Sequence, residues 1–396
     1  MKRLTLLGLL LLCLNSSYGQ VNYAQYDSAI MNAQPVLNLD KYKFLKDINM
    51  IANTRFGFYS DFENGDLTNG RFAMPELRME VMGKVSERVH FRIRDVYAGR
   101  ATEPNSQDRL RHSLDIVQIQ YDVSPTFSIA GGKMLPEWGA FEFELNPIYL
   151  HAFNHLIEYG DHFQTGIVGK WQVETNHLLS FQVVNSRSRS FEEVYGFVPG
   201  VERAKIPLGA TVNWRGNLFE GKYNTAWSYS AYTEAANKRM LLLQLGNELR
   251  LNNFTLQYDY KLSNDQIDRL GQVSNLISEQ LGFRALDVRY VEHWMRGEYF
   301  LTPRLAATLI GMVSSDYWFD DNLPGIDVPK DDHLRTSWSF TAALEYHVFP
   351  SQKHKIFLAY VGRYFRHSDY AIRQFDLADA NTGQLSVGLI TPLVFF

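Results

Sequence analysis

The sequence predicts an all-β fold, a transmembrane antiparallel β-barrel of about sixteen strands with short periplasmic turns and long extracellular loops. Three observations predict it. Apolar and polar residues alternate in run after run, and the gaps between runs alternate long and short. Aromatics make up 14% of the chain, yet past the N-terminus no stretch approaches the roughly 20 apolar residues of a membrane helix.

The N-terminus is read first. Lys2 and Arg3 precede the apolar run 4–14, and Ser17-Tyr18-Gly19 puts small residues where a signal peptidase cuts. Residues 1–19 are therefore expected to be a signal peptide. Cys13, the single cysteine, lies inside the apolar run. Its removal leaves no disulfide, thiolate metal site or cysteine nucleophile. The formal net charge of −4 becomes more negative without Lys2 and Arg3. Such a chain lacks the basic face that a nucleic-acid partner requires. Residues 20–48 show no strong period and are expected to be an N-terminal periplasmic or lumen segment. The barrel is expected over 49–396.

From Met50 the period is two, which sends neighbouring side chains to opposite faces of a sheet. Ala52, Thr54, Phe56 and Phe58 alternate with Asn53, Arg55, Gly57 and Tyr59. Leu77, Met79 and Val81 alternate with Glu76, Arg78 and Glu80, and Val89, Phe91 and Ile93 with His90, Arg92 and Arg94. Phe254, Leu256, Tyr258 and Tyr260 interleave with Thr255, Gln257, Asp259 and Lys261. The run 337–348 alternates over a length that suits a tilted membrane strand of about ten residues.

Long gaps fall near 61–70, 99–110, 133–162, 185–206, 233–238, 262–284, 314–333 and 365–382. Short ones fall near 85–88, 122–126, 172–177, 215–221, 252–253, 301–304 and 349–354. A barrel with both termini periplasmic produces this rhythm, whereas a soluble sandwich has no reason to. Trp171, Trp214, Phe300 and Phe349 flank short gaps, where an aromatic girdle would meet the membrane boundary. The chain ends on a strand-like stretch closed by Phe396, which resembles the assembly signal of outer-membrane barrels.

The chain is organised around 131–162, a long connection between the alternating runs 127–131 and 165–171. It carries aromatics and the carboxylates Glu137, Glu142, Glu144, Glu158 and Asp161, and is expected to fold into the lumen and narrow it. Inward positions on the first three strands carry Arg55, Arg78, Arg92 and Arg94, with His90 beside them. Strands about 5 Å apart would bring these guanidiniums into one basic strip facing the loop carboxylates. The other arrangement open to them is pairing with Glu76, Glu80 or Asp95 as a polar wall.

The stretch Gly132-Lys133-Met134-Leu135-Pro136-Glu137-Trp138-Gly139-Ala140-Phe141-Glu142 resembles the motif of the phosphate-selective porin O/P family. In that family a strand ending in Gly plus a basic residue runs into Pro, an aromatic, Gly and an acid. Gly132, Lys133, Pro136, Trp138, Gly139 and Glu142 occupy the matching positions. The resemblance implies a sixteen-stranded barrel, often a homotrimer, acting as a passive channel for small polar or anionic solutes, with phosphate among them. It also implies outer-membrane lipid as surroundings and no cofactor. Glu137 between the proline and the aromatic, and Leu135 in place of a second basic residue, depart from the pattern and weaken the phosphate reading. The pore constriction is expected at Arg55, Arg78, Arg92, Arg94, Lys133, Glu137, Glu142 and Glu144.

Two further clusters have ligand-like spacing. His151, His155, Glu158 and His162 share a helical period, but no HExxH pattern accompanies them, and no metal is expected. Asp316, Asp320, Asp321, Asp327, Asp331 and Asp332 lack EF-hand spacing and read as a solvated outer loop. A plugged or binding barrel acting with a partner is the alternative. An outer-membrane hydrolase is a weaker rival, since no nucleophile elbow is present.

Overall fold

The computed structural model describes residues 48–98, 110–277, 282–319, 333–349 and 352–395. The expected signal peptide, the 20–48 segment apart from Ile48, the acidic run 320–332 and Phe396 lie outside the described residues.

Sixteen strands form the wall: β1 (Ile48–Glu63), β2 (Asp66–Ser86), β3 (Val89–Ala98), β4 (Leu110–Ser124), β5 (Phe127–Met134), β6 (Gln164–Glu174), β7 (His177–Asn185) and β8 (Leu208–Leu218), then β9 (Tyr223–Ala235), β10 (Lys238–Arg250), β11 (Phe254–Ile267), β12 (Leu286–Thr302), β13 (Leu305–Trp318), β14 (His333–Phe349), β15 (Gln352–His367) and β16 (Ala380–Val394). Each pairs with its sequence neighbours, and β1 closes on β16, antiparallel throughout. Closure satisfies every strand edge, which a lipid environment demands of a spanning sheet.

The two-residue period decides which side each residue faces. On β14, Trp338, Phe340, Leu344 and Tyr346 are exposed on the outside, while Ser337, Thr341 and Glu345 are buried within. On β11, Tyr258 faces out while Asp259, Lys261 and Ser263 are fully buried on the lumen side. An apolar outer surface and a polar interior are the reverse of a soluble fold. Trp214 stacks edge-on to Trp227 at 5.1 Å and Trp171 is exposed, so the short-turn side carries outward indoles. Phe300 differs from the expectation: it pairs with Ala306 on the inner face and packs against His347 at 5.6 Å.

Two expected long gaps are tight turns. β1 runs to Glu63 and β2 begins at Asp66, with Asn64 and Gly65 both at positive φ, 50° and 94°. That Asn-Gly pair is the favoured two-residue hairpin turn. The polar residues around it belong to strands that extend past the membrane. β9 and β10 likewise meet through 236–237.

The long connections hold short helices: α1 (Phe141–Glu144) and α2 (His155–Tyr159) between β5 and β6, α3 (Phe191–Tyr195), α4 (Gln272–Leu276) and α5 (Asp369–Phe375). The core beneath them is intramural. Trp138, Leu156, Tyr232, Leu242, Val273, Tyr290, Trp318 and Phe375 form one apolar cluster inside the outer half of the barrel.

Candidate functional site

The inner loop, residues 135–163, lies within the lumen and follows the wall most of the way round. It starts at two glycines that only glycine suits. Gly132 has φ 130°, and a Cβ there would stand 2.0 Å from the Val117 carbonyl oxygen. Gly139 has φ 69°, and its Cβ would meet the Ala226 oxygen and the Asn213 side chain at 2.8 Å. Between them the loop binds β7, β8 and β9, with Asn213 of β8 donating to the Glu137 carbonyl at 3.1 Å. Gln182 accepts from the Glu137 amide at 2.8 Å and donates to the Leu135 carbonyl at 3.0 Å. Trp138 is buried and donates its indole N–H to the Tyr232 hydroxyl at 2.6 Å.

At α1 the loop meets β11. Asp259 accepts the amides of Phe141 and Glu142 at 2.8 and 2.7 Å, so a wall carboxylate caps the donors that open this helix. Lys261, on the same strand and wholly buried, bonds to Glu142 and lies 3.6 Å from Glu292. Glu292 in turn accepts the Leu156 amide at 2.8 Å. The loop then reaches the seam. Arg363 bonds Glu158 at 2.6 Å and the Phe153 carbonyl at 3.0 Å. Arg55 donates to the Leu150 carbonyl at 2.6 Å.

The structure brings the arginines of the first strands onto one wall. Arg55 and Arg78 share Glu76, at 3.9 and 2.9 Å. Arg92 pairs with Glu80, and Arg94 lies 3.6 Å from Asp115 and over the Phe163 ring at 5.1 Å. His90 bonds Asp122 at 2.8 Å. The pairing with Glu76 and Glu80 is therefore present, and the strip is a ladder of alternating charge rather than bare guanidinium.

Lys133 is not part of that wall. It is paired with Val117 and Thr165, which places it on the outward face, and its ammonium donates to the Leu114 carbonyl at 2.8 Å. The loop carboxylates Glu137, Glu142 and Glu144 also do not face those arginines across a gap. Glu137 lies 2.5 Å from Lys170 and 3.6 Å from Arg215, Glu144 bonds Arg215, and Glu142 bonds Lys261. Burial alone would raise the Glu137 pKa, but Lys170 and then Arg215 hold it below the usual carboxylate range. Asp161 accepts from the Ser188 amide and hydroxyl, the latter at 2.9 Å.

The three histidines of the loop diverge. His151 packs on Phe357 at 4.8 Å, His155 stacks with Phe365 at 6.4 Å, and His162 meets Trp138 edge-on at 6.0 Å. Among the described residues no group of three or more His, Cys, Asp or Glu could hold a metal. Burial lowers the His155 pKa to about 4, with Asp316 opposing the shift. His151 is pushed well below its usual value by burial and by Arg55 and Lys355.

Between the loop and the seam wall a cavity of about 510 Å³ remains, lined by Arg55, Tyr59, Arg71, His151, Glu158 and Arg363 among others. Arg71 and Arg363 were not singled out in the sequence; for Arg71 the alternation of 76–81 points outward, and only the register shift opposite Arg55 and Gly57 turns it to the lumen.

A closed sixteen-strand barrel, apolar outside, polar inside and narrowed by an internal loop, defines the class of outer-membrane diffusion channels. The sequence pattern of the phosphate-selective porins O and P matches residues 49–388, and the chain belongs to that family. It is a passive channel of the Gram-negative outer membrane. No curated protein matches the sequence.

Among solved structures, the outer membrane channel DcaP of Acinetobacter baumannii is 12% identical with a TM-score of 0.59, covering 87% of this chain and 97% of that one. OmpF of Salmonella typhi, in complex with daunomycin, is 11% identical at TM-score 0.55, covering 87% and 97%. The trimer form of OmpT of Vibrio cholerae is 8% identical at TM-score 0.50, covering 86% and 98%. At these identities the likeness is one of fold.

Proposed function

We propose that the channel passes small polar solutes with a mild preference for anions, phosphate among them, through an eyelet between the inner loop and the β1–β3 wall. One observation carries this reading. On that wall Arg55 and Arg78 share a single carboxylate, while the loop's Glu137, Glu142, Glu144 and Glu158 are neutralised by cations of other strands. The charge left over at the eyelet is guanidinium, which is permanent and matches the oxygens of phosphate and carboxylate. The preference is mild because most pairs are complete, and because Lys133 faces away from the lumen. The constriction thus rests on Arg55, Arg78, Arg92 and Arg94, with the loop carboxylates acting as anchors.

Removal of residues 1–19 on export and assembly as a homotrimer are part of the same reading. The OmpT neighbour, described as a trimer form, supports the assembly. Chemical cross-linking of the folded barrel would reveal a trimer.

The selectivity is tested in a planar bilayer under a KCl gradient. An anion-directed reversal potential is expected, moving toward zero in Arg55→Gln and Arg78→Gln. Block by added phosphate marks phosphate as a solute. Cation preference unaltered by either substitution would overturn the reading.

A further inference from the structure

The outer wall carries a polar row at the height where the long-loop ends of the strands leave the apolar band. Asn264 pairs with Arg289, Arg289 with Tyr317, and Tyr317 with His333. The row therefore crosses β11 to β14 without a break, all on one face. Burial identifies the face: the neighbours Val288, Tyr290, Asp316 and Leu334 are buried on the inside. Arg289 itself is exposed. Below the row the outward positions on β10 are Leu241, Leu243 and Leu245, and on β12 Val291 and Met295 flank the exposed His293; on β13 and β14 the next outward positions, Ser315 and Thr336, are still polar.

Arg239, at the start of β10, stands out on the same face beside Gln266, whose side chain accepts the Arg239 amide at 2.8 Å. Two strand spacings and two residues of rise separate its Cα from that of Arg289, about 12 Å, within the joint reach of two arginine side chains.

These two cations differ from those of the lumen. Arg55, Arg71, Arg78, Arg92, Arg215 and Arg363 each sit against a carboxylate. Arg239 and Arg289 make no ion pair among the described residues. Asp287, the carboxylate of this patch, lies 3.9 Å from Lys238. Arg289 is nevertheless held in place. Its Nε donates to the Asn264 side chain at 2.6 Å, and its guanidinium lies over the Phe319 ring at 4.8 Å. A guanidinium fixed at one edge and one face presents its remaining N–H groups outward, at the level of the outer leaflet's headgroups.

We propose that this row is a docking surface for phosphorylated lipid of the outer leaflet. Arg289 and Arg239 bind headgroup phosphate oxygens, Asn264, Gln266 and Tyr317 lie beside them as neutral partners, and the leucines of β10 meet the acyl chains. Charge complementarity selects this occupant. Cations with no ion pair among the described residues, over the leucines of β10, fit an anionic amphiphile, and a free phosphate ion would gain nothing from the leucines.

The proposal assumes the outer-membrane placement, which conductance reads separately. The test uses the full folded chain in neutral detergent with diphosphorylated lipid A as probe, counting lipids retained per barrel by native mass spectrometry. Wild type should retain the probe, while Arg239→Gln combined with Arg289→Gln should weaken it about tenfold or more, since charge-assisted bonds are lost. Arg289→Lys should fall between, and high salt should weaken wild-type retention. Single-channel conductance in neutral lipid should be unchanged in all variants, which certifies folding. Equal retention by the double variant would overturn the proposal. So would equal retention of dephosphorylated lipid A, or binding of inorganic phosphate alone with the affinity of the lipid.

Discussion

Lys261 shows what a single residue does here. Its ammonium is fully buried between Glu142 of the loop and Glu292 of the wall. Removing one partner of such a group strands the other charges, at a cost of about 3–5 kcal/mol. Lys261→Met is therefore expected to lower the unfolding midpoint and to make single-channel current noisy as the loop detaches, whereas Lys261→Arg should keep part of both. His155 gives the loop a pH dependence. Its pKa is about 4 in the fold and about 6.5 when unfolded, so between those values the unfolded chain holds the extra proton. Its stabilising share is complete above about 6.5 and is lost as pH falls toward 4, by at most about 3 kcal/mol. A melting series across that window should be shallower for His155→Gln than for wild type. These partners were not legible in the sequence. Parity placed Lys261 and Asp259 on one face, but Glu142 lies 119 residues from Lys261. Lys133 was misplaced for a related reason: the motif supplied its type, and only the pairing with Val117 and Thr165 supplied its face.

At the scale of elements, the inner loop depends on two glycine conformations. Gly139→Ala should push the loop off Ala226, and Gly132→Ala should spoil the β4–β5 pairing. Both should reduce folded yield, read by protease protection of the loop, with Gly132→Ala the more severe. The loop's existence was legible because its length and its turn residues broke the two-residue period. Its path was not, since the same polar residues could solvate an outer loop or line a lumen. The gap near 61–70 was misjudged for the opposite reason. Asp61, Glu63 and Asp66 look like loop residues, yet the Asn64-Gly65 turn lets the strands run on beyond the membrane.

For the whole molecule, the outward face is the larger determinant of membrane folding. Leu309 is 65% exposed on β13, and Leu309→Arg should cost about 2–4 kcal/mol near the bilayer midplane, measured by refolding into vesicles. Thr308→Ser, on the inner face, should refold as wild type. The barrel was legible because alternation and loop rhythm recur through the chain, so errors in single strands did not accumulate. The selectivity was less so, because net charge at the eyelet depends on neighbours around the ring.

The seam between β1 and β16 has a temporal consequence. Asn381 donates to the Asn64 side chain across 317 residues of chain. Bringing such distant ends together costs about 4 kcal/mol more loop entropy than closing a four-residue hairpin. Fifteen joins between sequence neighbours can form as soon as each neighbour exists, but this one must wait for the last strand. Until then the sheet has two raw edges, so closure is a late and vulnerable moment in biogenesis, when an assembly factor that shields an edge would have the most to protect.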